Sequence, residues 1–483
     1  MPLVAGVDSS TQSCTVVLRD VDDGRIVRHG RAPHPRTTPP VSEQPPESWW
    51  VALGQALNAA DAAEIVAISV DGQCHGLVPL DADREVIRPA KLWNDTTSAD
   101  EAAELVERLG AAAWARRTGS VPVGAFTITK LLWLARNEPA AYRRLAHVVL
   151  PHDWLTFRLT GELVTDRGDA SGTGYFSPAE SSWQPDLLAL VDPAVDWVPR
   201  LPRIVGPDEP AGAVTAAAAA ALGLRPGTVV GAGSGDNQAS ALGLGLRRGD
   251  VAVSVGTSGT VFARHPESTA DVTGAVNGNA DATGEYLPLL CTLNAAKVTD
   301  AFARLLGVDH DGMTALALAA PASDERPVLA AFLDGERVPN RPGARGLLGG
   351  LRSDLTREEI ARAAYEGVVA GLLAGIDILA GLGVRTGGRV LLTGGGARSA
   401  AYRQLLADLS GRPVYTVELE ETAAAGIAAQ AAAILHGAKV GEIADAWAPP
   451  ARLAAEPRPD PGREEVLDRY RRLAAWRGLD SEP

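Results

Sequence analysis

Two stretches almost half a chain apart repeat one pattern, and that repetition limits the folds open to this sequence. Residues 4–7 are apolar and end on Asp8, followed at once by Ser9-Ser10-Thr11-Gln12-Ser13. Residues 251–255 lead in the same way into Gly256-Thr257-Ser258-Gly259-Thr260, and Val261-Phe262 resume the apolar pattern. Each reads as strand, tight turn of small residues, strand. Such turns present hydroxyls and backbone N–H groups, which suit phosphate oxygens. One turn in each half predicts a duplicated fold that clamps a nucleotide between two lobes.

The chain has 483 residues, too many for a single ordinary core, so two domains are expected. The expected spans are 1–246 and 247–483. A net charge of −14 argues against a nucleic-acid partner. Cys14, Cys74 and Cys291 are sparse, odd in number and without CxxC spacing, which supports neither a disulfide framework nor a zinc site. A reducing cytoplasm fits best. No basic segment followed by a long apolar core marks a leader, and no uninterrupted apolar run reaches the ~18 residues of a bilayer span. No membrane partner is expected.

Strand patterns alternate with helical ones, which predicts an α/β fold. Expected helices include 49–60 capped by Ser48, 98–109, 129–138 stopped at Pro139, 357–379, 401–409 and 464–476. Residues 178–210 carry prolines at short intervals and read as an irregular surface connection.

The chemistry sits at predicted strand ends, where ligands collect in α/β sheets. A carboxylate such as Asp8 beside a hydroxyl-rich turn can hold Mg²⁺ through water while Thr11 and Gln12 contact phosphates. The alternative is a hairpin with a turn-forming Asp. Gly256, Thr257 and Ser258 can cradle phosphate with backbone N–H groups, or simply close a hairpin. Asp236, after a glycine hinge at 231–235, can accept the proton of an attacking sugar hydroxyl or can cap the following helix, and the two readings weigh about equally. Gln73, Cys74 and His75 follow the buried strand 65–70, and their donors and acceptors suit sugar hydroxyls. Trp93 and Asp95, in Trp93-Asn94-Asp95, could line the same pocket. Gly395, Gly396, Ala397 and Arg398 form a strand–loop–helix turn where backbone could pass close to adenine or ribose. Lys130 and Trp133 read as structural. No GxxxxGK[ST] and no GxGxxG occurs, which excludes a P-loop and argues against a Rossmann dehydrogenase.

Taken in order, these segments resemble the FGGY carbohydrate kinases, and within that family its D-xylulose branch. Residues 6–13 are similar to the opening phosphate turn, 71–76 to the sugar-contact segment, and 126–137 to the first family motif. Gly235-Asp236-Asn237 is similar to the catalytic segment and 254–259 to the second phosphate turn. Residues 334–339 resemble the Gly-Glu-Arg-x-Pro loop, and 394–408 the second motif. The departures are Ser9-Ser10 for Leu-Gly or Ile-Gly, Cys74 for methionine, and Thr129 for proline.

The resemblance implies a two-lobed actin-like ATPase (ribonuclease H-like) fold with duplicated sheet-and-helix domains and an interlobe cleft. It implies phosphorylation of D-xylulose at O5 from ATP with Mg²⁺. Asp236 is then general base and Asp8 the Mg²⁺–phosphate carboxylate. Gln73, Cys74, His75, Trp93, Asp95 and Asn237 are sugar contacts. The partners are a sugar and ATP, and a homodimer is consistent with the family. Cys74 in place of methionine bears on pocket size and sugar preference. The alternatives are a family kinase for ribulose, gluconate or glycerol, and a non-kinase nucleotide-dependent protein of the actin or heat-shock-chaperone class. The Gln-Cys-His-Gly segment argues against glycerol.

Overall fold

The computed structural model describes residues 2–480. Met1 and 481–483, included in the expected domain spans, lie outside the described residues. The chain forms two compact α/β units. Among the described residues the first comprises 2–246, 266–287 and 419–449, and the second 247–265, 288–418 and 450–480. Two pieces of the second half of the sequence are therefore part of the first unit.

In the first unit, Leu3–Ser9 pairs antiparallel with Ser13–Asp20, which pairs antiparallel with Ile26–Pro33. On its other side Leu3–Ser9 runs parallel to Ile65–Gly72, and that strand runs parallel to Val229–Gly231. Alternation along the first strand assigns its faces. Leu3, Ala5 and Val7 pack into the core that includes Trp49, Leu53 and Ala56 of the helix Pro46–Ala59. Val4 faces Ala428, Ala429 and Ala432 of Thr422–His436. That helix lies so close to the sheet that a Cβ on Gly6 would overlap the Ala424 carbonyl.

The first helix begins at Pro46, earlier than expected. Proline supplies N1, and Ser48 donates to the Pro45 carbonyl rather than capping the helix. The 129–138 helix likewise starts sooner, at Thr127. Neither start carries a side-chain cap bond: Pro45 stands at the cap of the first and Phe126 at that of the second. The 178–210 connection carries only short pieces, among them Pro185–Leu188 and the 3₁₀ turn Val198–Arg200.

The second unit repeats the topology. Val251–Val255 pairs antiparallel with Gly259–Phe262, which pairs antiparallel with Tyr286–Thr292. Val251–Val255 also runs parallel to Val390–Thr393, which runs parallel to Val414–Val417. Numbered along the chain, the five strands named in each unit have order 3-2-1-4-5, within two seven-stranded sheets. The long helix Arg357–Gly381 opens with a reciprocal capping box between Thr356 and Glu359. It is long and apolar enough to cross a bilayer, yet most of its apolar stretch is buried in the protein, as in a core helix.

Candidate active site

Three parallel strand ends in the first unit bring the candidate carboxylates together. Asp8 and Asp71 are paired positions on adjacent strands. Ser234 is the partner of Asp71 on the other side, and Gly235 that of Gly72. Asp236 follows at once as the first residue of the helix Asp236–Gly243. It does not cap that helix. Gly235 occupies the cap position and no side-chain cap bond forms. Instead Asp236 Oδ1 accepts from Asn237 Nδ2 at 2.8 Å and from Cys74 Sγ at 3.5 Å.

Burial and crowding of like charge set the electrostatics. Burial, then the carboxylates of Asp8 and Asp169, push the Asp236 pKa up to about 7. Burial pushes Asp8 up to about 6, against a hydrogen bond from the Ser10 hydroxyl that favours the charged form. Asp71 is fully buried, neither of its oxygens takes a hydrogen bond from an N–H or O–H donor, and its carboxyl lies within hydrogen-bonding reach of Asp8. Burial, then Asp8 and Asp236, hold Asp71 well above the usual carboxylate range.

Around this row stand the other first-unit candidates. Gln73 is buried with its Nε2 unpartnered, and its Oε1 is 3.4 Å from the Thr11 hydroxyl. Trp93 is exposed on its ring and donates from Nε1 to the same Thr11 oxygen at 2.8 Å. Thr11, expected at phosphate, is thus joined to two residues expected at sugar, while the Gln12 side chain is exposed. His75 has a φ of 66°, and its Nδ1 lies 2.7 Å from the Gly172 carbonyl. Its ring stacks on Phe126 at 4.8 Å.

Asp95 has a different placement. It is fully buried and accepts from the Ser42 and Thr97 backbone N–H groups and the Thr97 hydroxyl, with Lys91 Nζ at 3.1 Å. These bonds tie it to the segment that carries Trp93. Lys130 is structural: fully buried, it donates to the carbonyls of His75, Gly124 and Ala125. Trp133 stacks under the Lys91 ammonium at 3.9 Å.

The second unit gathers the other phosphate-type turn and the glycine loop. Gly256 closes its turn with an N–H bond to the Ser258 carbonyl at 2.9 Å, leaving the Thr257 and Ser258 side chains exposed. Thr393 and Ser254 are paired on adjacent parallel strands, so the loop beginning at Gly394 leaves the sheet beside that turn. Gly394 has a φ of 78°, and a Cβ on Gly396 would meet Val255 Cγ1 at 2.4 Å. Gly395, Ala397 and Arg398 complete a 3₁₀ turn, after which Ser399 caps Ala400–Ser410. Nearby, Glu336 of the 334–339 segment is buried and accepts from the Leu293 N–H and Asn294 Nδ2.

The sequence reading missed Asp71 and the buried residues His152 and Asp169. Asp71 lay inside the quoted 71–76 segment, but only the sheet register shows that it faces Asp8. The signal for the other two is the concentration of Asp153, Asp166 and Asp169 around one histidine within 152–169.

The arrangement can hold a hydroxyl against a high-pKa carboxylate in the first unit and offers glycine-rich backbone to a polyanion in the second. The N-terminal domain of the FGGY family of carbohydrate kinases matches residues 3–243, and the family's C-terminal domain matches 251–435. The xylulose kinase of Streptomyces coelicolor is 48% identical, over 92% of this chain and 91% of that protein. The xylulose kinase of Streptomyces rubiginosus is 46% identical, over 97% and 95%. The crystal structure of xylulose kinase from Bifidobacterium adolescentis superimposes with a TM-score of 0.87 at 38% identity, covering 97% of this chain and 99% of that one.

Proposed function

The chain belongs to the FGGY family of carbohydrate kinases, and from that membership we propose that it transfers the γ-phosphoryl of ATP to O5 of D-xylulose, giving D-xylulose 5-phosphate. The observation that carries the reading is Asp236, a carboxylate at a strand end, free of any capping bond and with its pKa raised to about 7. A group with that pKa is about half ionised at pH 7 and basic enough to take the proton of a sugar hydroxyl. Similarity over nearly the whole chain to two proteins named xylulose kinase supports the ketopentose as acceptor.

Asp236 orients the acceptor hydroxyl and receives its proton as the O–P bond forms. Asn237, bonded to Asp236 Oδ1, fixes the plane of the carboxylate. Gln73 offers an unpartnered donor to a sugar oxygen, and Cys74 and His75 shape the wall beside it. In the second unit, Gly256, Thr257 and Ser258 hold phosphate oxygens through backbone N–H and hydroxyl groups, and 395–398 run against the nucleoside.

Among the described residues no group of three or more His, Cys, Asp or Glu side chains is arranged to hold a metal unaided. Asp8 and Asp71 nevertheless fit Mg²⁺, which is commonly held by one or two carboxylates together with substrate phosphates and water. When bound, the ion neutralises charge on the transferring phosphoryl group. The mixed polar site and three cysteines outside any disulfide suit a cytoplasmic metabolic enzyme.

The test is ADP release measured with D-xylulose, D-ribulose, gluconate and glycerol, with the product identified by mass spectrometry. The expected result is the greatest kcat/KM for D-xylulose and a pentulose monophosphate product. A greater kcat/KM for another acceptor overturns the sugar assignment, and ATP hydrolysis without a phosphorylated sugar overturns the kinase reading.

A further inference from the structure

Beneath the sugar side of the first unit lies a fully buried imidazole that the mechanism does not use. His152 sits at the start of the helix Pro151–Thr160. Its Nδ1 is 2.8 Å from Asp169 Oδ2, and its Nε2 is 3.2 Å from Asp153 Oδ1 and 3.5 Å from Asp166 Oδ1. Removing the imidazole would leave three buried carboxyl groups without their common partner, and an uncompensated buried charge is strongly destabilising.

What it fixes can be followed bond by bond. Asp166 accepts from the Gly168 and Asp169 N–H groups and so caps the short turn Arg167–Ala170. The Gly168 carbonyl accepts from Gln238 Nε2 at 3.2 Å, and Gln238 is two residues beyond Asp236 in the same helix. The Asp169 carbonyl accepts from the Gly172 N–H at 2.9 Å, and the Gly172 carbonyl meets His75 Nδ1 at 2.7 Å. His152 also packs close to both strand ends, its ring beside Gly233 and its Cβ beside Gly72. A Cβ on Gly233 would lie 2.6 Å from His152 Cδ2, and one on Gly72 3.2 Å from His152 Cβ.

We propose that His152 is a positioning residue for the sugar, holding the 166–172 turn as a charged clamp so that His75 and the Asp236 helix keep their separation. Burial alone would lower the His152 pKa, but Asp153, Asp169 and Asp166 together outweigh it and hold the ring at about 9, so it is a cation at neutral pH. The clamp depends on that charge more than on the ring's volume.

The inference rests on the sugar-kinase reading, and the experiment separates the two. Wild type is first assayed across the sugar panel, and the variants are then compared on its best acceptor. Lack of sugar turnover by wild type sinks the kinase reading and this inference with it. With wild type active, His152→Gln is expected to raise the acceptor KM and its Kd by calorimetry about tenfold or more, as misplacement of a substrate-positioning group does, while KM for ATP is unchanged. His152→Lys, which restores a cation, is expected to recover most of the loss. An unchanged acceptor KM in His152→Gln overturns the proposal alone, as does an equal rise in both KM values or a lysine variant no better than glutamine. Asp169→Asn, which keeps volume, is expected to give the same split and decides the matter if His152→Gln does not fold. Failure of both to fold overturns the positioning role in favour of a folding requirement.

Discussion

Asp236 carries opposite consequences for activity and stability. General-base assistance is typically worth ~10²–10⁴-fold, so Asp236→Ala is expected to lose at least that much turnover with an unchanged circular dichroism spectrum. Near-normal turnover would remove the residue from the mechanism. The base works only when ionised, so kcat/KM for the sugar is expected to fall as pH drops through about 7. Its folded pKa lies above the ordinary 3.8, so the folded chain holds that proton more tightly than the unfolded one. The group's contribution to stability therefore declines as pH rises from about 4 to about 7 and stays low above that. Asp236→Asn is thus expected to melt at a higher Tm than wild type, with the difference growing over that window. A difference independent of pH would show that burial and charge crowding do not act on this residue as described.

At the scale of elements, function depends on where strands end and on how closely the next segment can approach. The two turns with hydroxyls, 9–13 and 256–260, were legible because small residues after an apolar run have few other uses. The role of the glycine loop is geometric. A Cβ on Gly396 would press into Val255, a β-branched residue with little rotameric freedom. Gly396→Ala is expected to cost about 1–3 kcal/mol in the second unit. It should raise KM for ATP by about tenfold or more through loop displacement, leaving KM for the sugar unaffected. Steady-state kinetics with both substrates varied checks this, and equal changes in the two KM values would contradict it. Helix starts were less legible: Pro46 and Thr127 open their helices without side-chain caps.

For the whole molecule, the first unit is not a contiguous length of chain. Thr422–His436 covers one face of its sheet, packing Ala428, Ala429 and Ala432 against Val4 and Ala67. A fragment of residues 1–246 would leave that apolar face open to water. It is expected to aggregate or to lack a cooperative thermal transition, whereas the full chain melts cooperatively. A soluble, cooperatively folding fragment would show that the returning helix is dispensable to the unit. The repeated 3-2-1-4-5 strand order in both units is the structural form of the sequence repetition seen at the two turns.

By itself the sequence determined the α/β class, the duplicated turns, the strand-end location of Asp8, Gln73 and Asp236, and the family. These follow from local pattern, because apolar alternation and small-residue turns are properties of neighbouring residues. The tertiary structure alone decided that Asp71 faces Asp8, that Asp95 accepts from the Ser42 N–H, and that His152 is ringed by carboxylates. Asp8 and Asp71 lie 63 positions apart (71 − 8) and meet through cross-strand register, and His152 and Asp169 lie 17 apart. Burial then converts proximity into altered pKa values, because charges removed from water act strongly on one another.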